Sequence, residues 1–387
     1  MSSADHPRWH NYVLQSGEEL AESWKAQLDG KGKRVLFLLG KGFDPRMCRG
    51  LELLSKLGYA KKCDVLAITF DEGPQSPSQA HGAEVEKNWE SLVQLVGKGS
   101  LSTRPVKVWS DDGRRVGARN AASLITKLEE VEQYSDIVVD ISAMPRGIYF
   151  PLISKLLYLL DKGQAEKRKH RPNLHILVTE NSELDRRIVD QGIDESAGYV
   201  HPFGGGIERE ATTGTPSVWI PILGENQETQ LKRIHELLNP DEICPLLPSP
   251  ALDPRRADNL LLEYRGLLFD QLRVEPRNLI YAAERNPFEV YRQIRKVLLH
   301  YADALRPLGM CKAVLSALST KLLSLGALLA AYELKYDQVA GYETQLEVGI
   351  AHVDCQGYAL KDEAAGARLE SDGETYGLWL AGECDED

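Results

Sequence analysis

Six cysteines occur in 387 residues, and no two of them have C-x-x-C spacing. Cys48, Cys63, Cys244, Cys311, Cys355 and Cys384 form no cysteine–histidine set of zinc-finger pattern, so a reduced protein with small scattered thiols is expected. The nine histidines include no HExxH pair, and the chain has no GxSxG elbow, EF-hand loop or complete Walker loop. Metal binding and serine-hydrolase chemistry are therefore unsupported. The opening Met-Ser-Ser-Ala-Asp-His-Pro has no apolar core, and no run approaches the roughly 18 apolar residues a membrane span needs. These gaps predict a soluble, cytoplasmic protein with no membrane partner. Positive charge is also short: 46 Lys and Arg stand against 57 Asp and Glu, a net charge of −11. Direct DNA binding, which needs a basic field to release counterions, is disfavoured.

What is present is ordinary globular material, 43% hydrophobic and 27% charged, long enough for two domains. Short β-branched runs alternate with stretches of helical spacing, the pattern of a mostly parallel sheet covered by helices. Strands are predicted at 34–39, 64–70, 106–109, 136–141 and 174–179, with helices at about 47–57, 83–96, 119–131 and through residue 160. The same order returns in strands at 217–223, 242–247, 278–283, 312–318 and 347–353, with helices at 228–238, 256–272, 287–305 and 322–334. Strand–helix steps thus recur at an offset of roughly 175–180 residues, which a domain-length repeat explains more simply than one large unsymmetrical sheet. The predicted fold is α/β, two tandem Rossmann-like doubly wound parallel-sheet halves forming an internal pseudo-dimer. Its parts are a helical preface (1–30, anchored by Trp9 and Trp24), a first half (31–200) and a Gly/Thr-rich linker (201–216). A degenerate second half (217–358) and an acidic tail (359–387) follow; the tail is read as an edge hairpin or partial disorder.

Ligands of open α/β sheets bind beyond the C-terminal strand ends, where strand order reverses. With an order of 3-2-1-4-5, strands one and four flank that point, and they carry the two most unusual loops of the first half. After strand one comes Gly40-Lys41-Gly42-Phe43-Asp44-Pro45-Arg46. Its glycines permit close backbone approach, Asp44 and Pro45 suit a helix start, and Lys41 and Arg46 add charge to an anion-favouring helix N-terminus. Strand four is followed by Ser142-Ala143-Met144-Pro145-Arg146, where Ser142 offers a hydroxyl and Arg146 a bidentate grip on phosphate or carboxylate. The bland alternative for each loop is a capped helix start with solvated charges. Asp140, at the end of strand four, is read either as orienting Arg146 or Lys41 through an ion pair or as a structural partner.

Lesser candidates are Asp71 and Glu72 after strand two, as ribose contacts, and Glu180 and Asn181 after strand five. In the second half the matching loops, Gly224-Glu225-Asn226-Gln227 and Ser319-Thr320-Lys321, lack the first loop's Gly/Lys/Asp/Arg set, so that half is read as having lost or changed its site. Glu284, Arg285 and Asn286 are an alternative surface there. Lys167–Arg171 reads as a solvated basic loop.

At Gly40–Arg46 and Asp140–Arg146 the chain resembles the CRISPR-associated Rossmann-like (CARF) domains and their fused two-copy relatives, the SAVED domains of bacterial antiviral systems. CARF domains bind cyclic oligonucleotides with the loops after strands one and four. In layout the resemblance covers about residues 33–358, although the second loop reads Ser-Ala-Met-Pro-Arg in place of a Thr-Gly-Gly-Thr-Lys type. It implies a sensor or adaptor for a nucleotide or other phosphate-bearing small molecule, with the effector on a separate partner protein, since no nuclease, protease, winged-helix or HEPN signature is visible. The ligand-binding set is then Gly40, Lys41, Gly42, Asp44, Arg46, Ser142 and Arg146, with no cofactor and no metal. Two other readings stay open: an enzyme cleaving or transferring a phosphoryl or glycosyl group, with Asp44 or Asp140 as general base, and a structural subunit of a larger assembly.

Overall fold

The structure is a computed structural model that describes residues 6–30, 32–208, 214–336, 346–361 and 373–382. Cys384, part of the linker (209–213) and most of the acidic tail (362–372, 383–387) lie outside the described residues. The chain divides into two compact units, Tyr12–Ile193 with Cys355–Asp387, and Met1–Asn11 with Asp194–Asp354.

In the first unit the strands are β1 (Val13–Ser16), β2 (Val35–Lys41), β3 (Cys63–Asp71), β4 (Leu101–Lys107), β5 (Asp136–Asp140), β6 (Asn173–Glu180) and β7 (Ile188–Ile193), joined late in the chain by β15 (Cys355–Leu360) and β16 (Glu374–Ala381). Seven of them form one sheet in the order β1-β16-β6-β5-β2-β3-β4. The five from β6 to β4 are parallel, while β16 and β1 extend the sheet antiparallel. Strand order reverses between β2 and β5, which is the switch point. Both of those strands are buried along nearly their whole length, because helices cover the two faces and only continuous apolar runs such as Val35–Leu39 can sit there. On one face Val35, Phe37 and Leu39 meet Leu20, Trp24 and Leu28 of helix Gly17–Leu28 and Leu51 and Leu54 of helix Arg49–Lys56.

The second unit holds β8 (Gly198–Tyr199), β9 (Ser217–Ile222), β10 (Glu242–Ile243), β11 (Leu246–Pro248), β12 (Ile280–Ala282), β13 (Cys311–Ala317) and β14 (Leu346–His352). Its sheet runs β12-β11-β9-β13-β14-β8, with β10 also on β9 and β8 the antiparallel member. Matching β9 to β2 and β13 to β5 superposes the two strand orders, so the halves are tandem Rossmann-like folds. The likeness extends to a steric detail. A Cβ on Gly40 would lie 2.8 Å from the Ala143 carbonyl oxygen, and one on Gly224 would lie 2.1 Å from the Leu318 carbonyl oxygen. In each half a glycine, Gly40 within the end of β2 and Gly224 two residues past β9, lets the backbone after strand four pass close by.

Several elements depart from the sequence expectation, two of them for a plain local reason. Strand 242–247 is split because Pro245 has no N–H to give the ladder. Helix 119–131 is two pieces, Gly117–Ala122 and Leu128–Glu130, since the Glu130 carboxylate accepts the Thr126 and Lys127 amides and starts a new turn. Helix 256–272 keeps its α form only through Glu263 and then passes into a π-helical turn at Gly266–Gln271. The stretch read as a preface divides: Trp9 is 2% exposed and packs edge-on against Tyr291 of the second unit, while β1 and the helix after it belong to the first. The Arg8 amide donates to Glu333, a buried carboxylate also bound by Tyr291 and Arg295. From the tail, Glu374–Ala381 supplies an interior strand of the first sheet, with Leu378 and Leu380 buried. Among the described residues no helix is long and apolar enough to cross a membrane.

The paired glycines give a direct check of the repeat. Gly224→Ala and Gly40→Ala should each destabilise the protein by about 1–3 kcal/mol through overpacking, Gly224→Ala the more. Denaturant unfolding of both variants measures this.

Candidate functional site

Gly40 and Lys41 are the last two residues of β2, in the strand and not in the turn after it. Besides the Ala143 carbonyl, a Cβ on Gly40 would come within 3.0 Å of Met144 and Phe70. The glycine is what lets the loops after β2 and β5 adjoin. Side chains alternate along a strand, so Lys41 shares the face of Phe37 and Leu39. Its amine lies 4.2 Å from the centre of the Trp89 ring, on helix Gly82–Val96. The turn that follows is held by Asn88, whose amide donates to the carbonyls of Gly42 and Phe43 at 3.2 and 3.0 Å.

Asp44 caps the short 3-10 turn Pro45–Cys48, accepting the Arg46 amide at 3.0 Å. Its carboxylate also takes the Arg46 guanidinium, through Nε at 3.0 Å and Nη2 at 2.8 Å. Nη1 donates to Asp185 at 2.7 Å, from the helix Ser182–Arg187 that follows β6. Arg46 is only 2% exposed. Burial opposes its charge, but Asp44 and then Asp185 outweigh that and hold the guanidinium firmly protonated. The charge expected to face a ligand is neutralised inside the protein.

Ser142 is fully buried and works within the fold: its hydroxyl accepts the Thr179 amide at 2.8 Å, tying the ends of β5 and β6. Its own amide donates to Asp140 Oδ1 at 2.9 Å. Asp140 is therefore held by Ser142 and by no cation. Its Oδ2 is buried without a partner of hydrogen-bond geometry, against Gly50, where a Cβ would come within 2.6 Å of it. Burial above all, and the like charge of Asp44, push this carboxyl up to about 6, against the lowering by Ser142 and the Gly50 backbone. Arg146 is the first residue of helix Arg146–Ala165, after Pro145, and is half-buried.

The rim has a roof that the sequence did not announce. β7 and β15 pair antiparallel, from Ile188 opposite Leu360 to Ile193 opposite Cys355, as a separate two-stranded ribbon. Loops after β3 and β4 hydrogen-bond to it. From the β3 side, Ser78 Oγ accepts the Tyr358 amide at 3.1 Å, His81 Nε2 accepts the Leu360 amide at 3.4 Å, and Gly357 fits against Ser76. Arg115, after β4, donates to the Cys355 carbonyl at 2.7 Å, and the Lys361 amide donating to the Arg187 carbonyl at 2.7 Å extends the ribbon's own ladder by one pair. Burial raises the Tyr358 hydroxyl well above the usual tyrosine range; Cys355, Asp190 and Glu72 add to this and Arg146, after β5, opposes it. The ribbon thus sits against the loops after β3 and β4, with Tyr358 close enough to Arg146 to feel its charge.

The lesser candidates have structural work. Asp71 accepts the Gly73 amide at 3.2 Å, Glu72 takes the Ser76 hydroxyl at 2.5 Å, and Asn181 caps helix Ser182–Arg187. In the second unit Arg256 bonds both oxygens of Glu225 at 2.8 Å and also Glu284, while the Tyr264 hydroxyl donates to the Gly224 carbonyl at 2.6 Å. Thr320 caps helix Lys321–Tyr336 through its carbonyl, which accepts the Ser324 amide. Arg168 of the basic loop is exposed and paired with Glu129 and Glu166. Among the described residues no group of three or more His, Cys, Asp or Glu is placed to hold a metal.

No protein-family model matches the sequence, and no curated protein matches it. Among solved structures it is similar to a type III CRISPR defence DNA nuclease activated by cyclic oligoadenylate, with a TM-score of 0.42 and 13% identity, over 77% of this chain. The match spans 64% of the nuclease chain, less than two thirds of its length.

Two measurements probe the site's electrostatics. Arg46→Ala leaves Asp44 buried without its counter-charge and should cost about 3–5 kcal/mol in chemical denaturation. Lys41→Ala, which loses one cation–π contact, should cost about 1 kcal/mol or less. Asp140 sets a pH dependence of definite sign. An unfolded aspartate ionises at about 3.9, the folded one at about 6. Between those values the folded state holds the extra proton, so stability is highest below about pH 4, falls as pH rises to about 6, and is level above. The drop is on the order of 3 kcal/mol, and Asp140→Asn should lack it. Urea unfolding at pH 4, 5, 6 and 7 compares the two.

Proposed function

We propose that this chain is a sensor or adaptor of bacterial antiphage defence that recognises a nucleotide or another phosphate-bearing small molecule at the first-half rim and acts through a separate effector protein. The observation that carries the reading is the meeting of the β2 and β5 loops at the switch point, made by Gly40 against the Ala143 carbonyl, beside the N-terminus of a 20-residue helix that opens on Arg146. The resemblance of Gly40–Arg46 and Asp140–Arg146 to CARF loops supports the ligand class. Two like halves in one chain fit the SAVED arrangement. In this reading Lys41 and Arg146 neutralise phosphate, backbone amides near Gly40 and Gly42 donate to it, and Asp44 and Ser142 position the loops. Arg46 contributes only once its own carboxylates are displaced.

Calorimetric titration with linear and cyclic oligonucleotides tests this. Saturable binding of one class, weakened about tenfold or more by Arg146→Ala and by Lys41→Ala, is expected. No binding across the panel, or binding that both variants leave unchanged, overturns it. A second reading, an enzyme acting on a nucleotide in the same place, is favoured by Asp140, whose carboxyl is raised to about 6, into the range of a proton-transfer group. Mass spectrometry of the titrated nucleotides separates the two, since a sensor returns its ligand intact.

A further inference from the structure

The contacts around Asp185 suggest how such a site would be opened. Asp185 lies on the six-residue helix Ser182–Arg187, which runs directly into β7, one strand of the roof. Its carboxylate is the outer partner of Arg46: the arginine side chain is 3% exposed, that of Asp44 is 11% and that of Asp185 is 38%. Two oxygens of Asp44 hold Nε and Nη2 from within, while one oxygen of Asp185 holds Nη1 from the solvent side. The inner pair keeps Arg46 in place whether or not the outer one is made. The outer pair is the part an anion from solvent can replace.

We infer that the β7–β15 ribbon is a strap over the rim, fastened by the Arg46–Asp185 ion pair, and that an anionic ligand releases it by taking the place of Asp185 on Arg46. The ligand half of this inference rests on the function proposed above; the strap half does not. The geometry favours a strap over a fixed wall for two reasons. The ribbon is a two-stranded sheet of its own, outside both larger sheets, and such pairs are marginally stable alone. Its described ties to the rim are few: a pair of hydrogen bonds between Ser78 and Tyr358 and one each from His81 and Arg115, with no strand of either larger sheet interleaved. Removing one fastening then shifts the open population, and a ligand that binds only the open form gains affinity by the same factor.

Hydrogen exchange by mass spectrometry on the full chain, without ligand, reads the strap directly. Asp185→Asn should speed exchange of the 188–193 and 355–360 amides about tenfold and leave those of β2 and β5 unchanged. Ser78→Ala, which cuts a tie elsewhere, should loosen the same amides. If neither variant changes ribbon exchange, the strap is overturned, whatever the protein binds. Inorganic pyrophosphate then serves as the anion probe. It should loosen the ribbon of the unsubstituted protein and bind Asp185→Asn about tenfold more tightly, while Ser78→Ala, with the contest for Arg46 intact, gains affinity only by the factor its ribbon opens. Pyrophosphate that binds by calorimetry but leaves the ribbon protected overturns the release step. Failure to bind at all counts against the anion site and against release by a ligand, and leaves the strap standing on the ligand-free data.

Discussion

A guanidinium has five N–H groups and cannot shed its proton, so burying one obliges the fold to surround it with acceptors. Arg46 is such a group. Asp44 meets it from the turn after the first buried strand, and Asp185 from the far side of the sheet's reversal. Three consequences follow from that single requirement. The turn after β2 is fixed, because Asp44 must both cap it and face the arginine. The start of the segment leading to the ribbon is fixed too, because Asp185 is part of it. Asp44, held in place by the arginine, also adds its like charge to the burial that keeps the Asp140 carboxyl raised. The raised Asp140 carboxyl owes most to its own burial and only in part to the carboxylate that Arg46 requires.

The second unit meets the same need with different residues. Arg256, from the helix after its second strand, is held by Glu225 after the first strand and Glu284 after the third. In both halves an arginine between two carboxylates ties rim loops together, but the residues doing so are not at corresponding positions. Each half also has a glycine of close approach, Gly40 near the end of β2 and Gly224 just past β9, against the backbone after strand four. A steric demand made by the backbone crossing is common to the halves, while charge pairs at the rim were built separately.

How far the fold could be read from sequence depended on burial. Val35–Leu39 and Asp136–Ile141 announce themselves because a strand covered on both faces must be apolar throughout. Leu101–Lys107 hardly does, since as an edge strand it exposes Ser102, Thr103, Arg104 and Pro105. β16 was obscured by its acidic surroundings, and β7 and β15 by short mixed-polarity runs, each interrupted by a glycine. The site divides the same way. The Asp44 cap is a local matter, legible from Asp-Pro. The Asp185 partner stands 139 residues from Arg46, and no spacing rule reaches that far. Chemical type pointed to Arg46 as a cation for ligands; only the packing shows that its charge is already matched.

β16 carries a consequence for how the polypeptide comes together. The sheet of the first half contains, between β1 and β6, a strand made roughly 200 residues after β6, so on a ribosome that sheet waits with an open edge while the whole second half is synthesised. His175 and Trp24 stay uncovered in the meantime, because the ring that closes over this histidine from the other side belongs to Trp379. The second half has a shorter wait: apart from Trp9 and its neighbours, its strands are contiguous in the chain. The half that begins first is therefore the one that finishes last, and a nascent chain paused before Glu374 presents a template for mispairing that the finished protein does not.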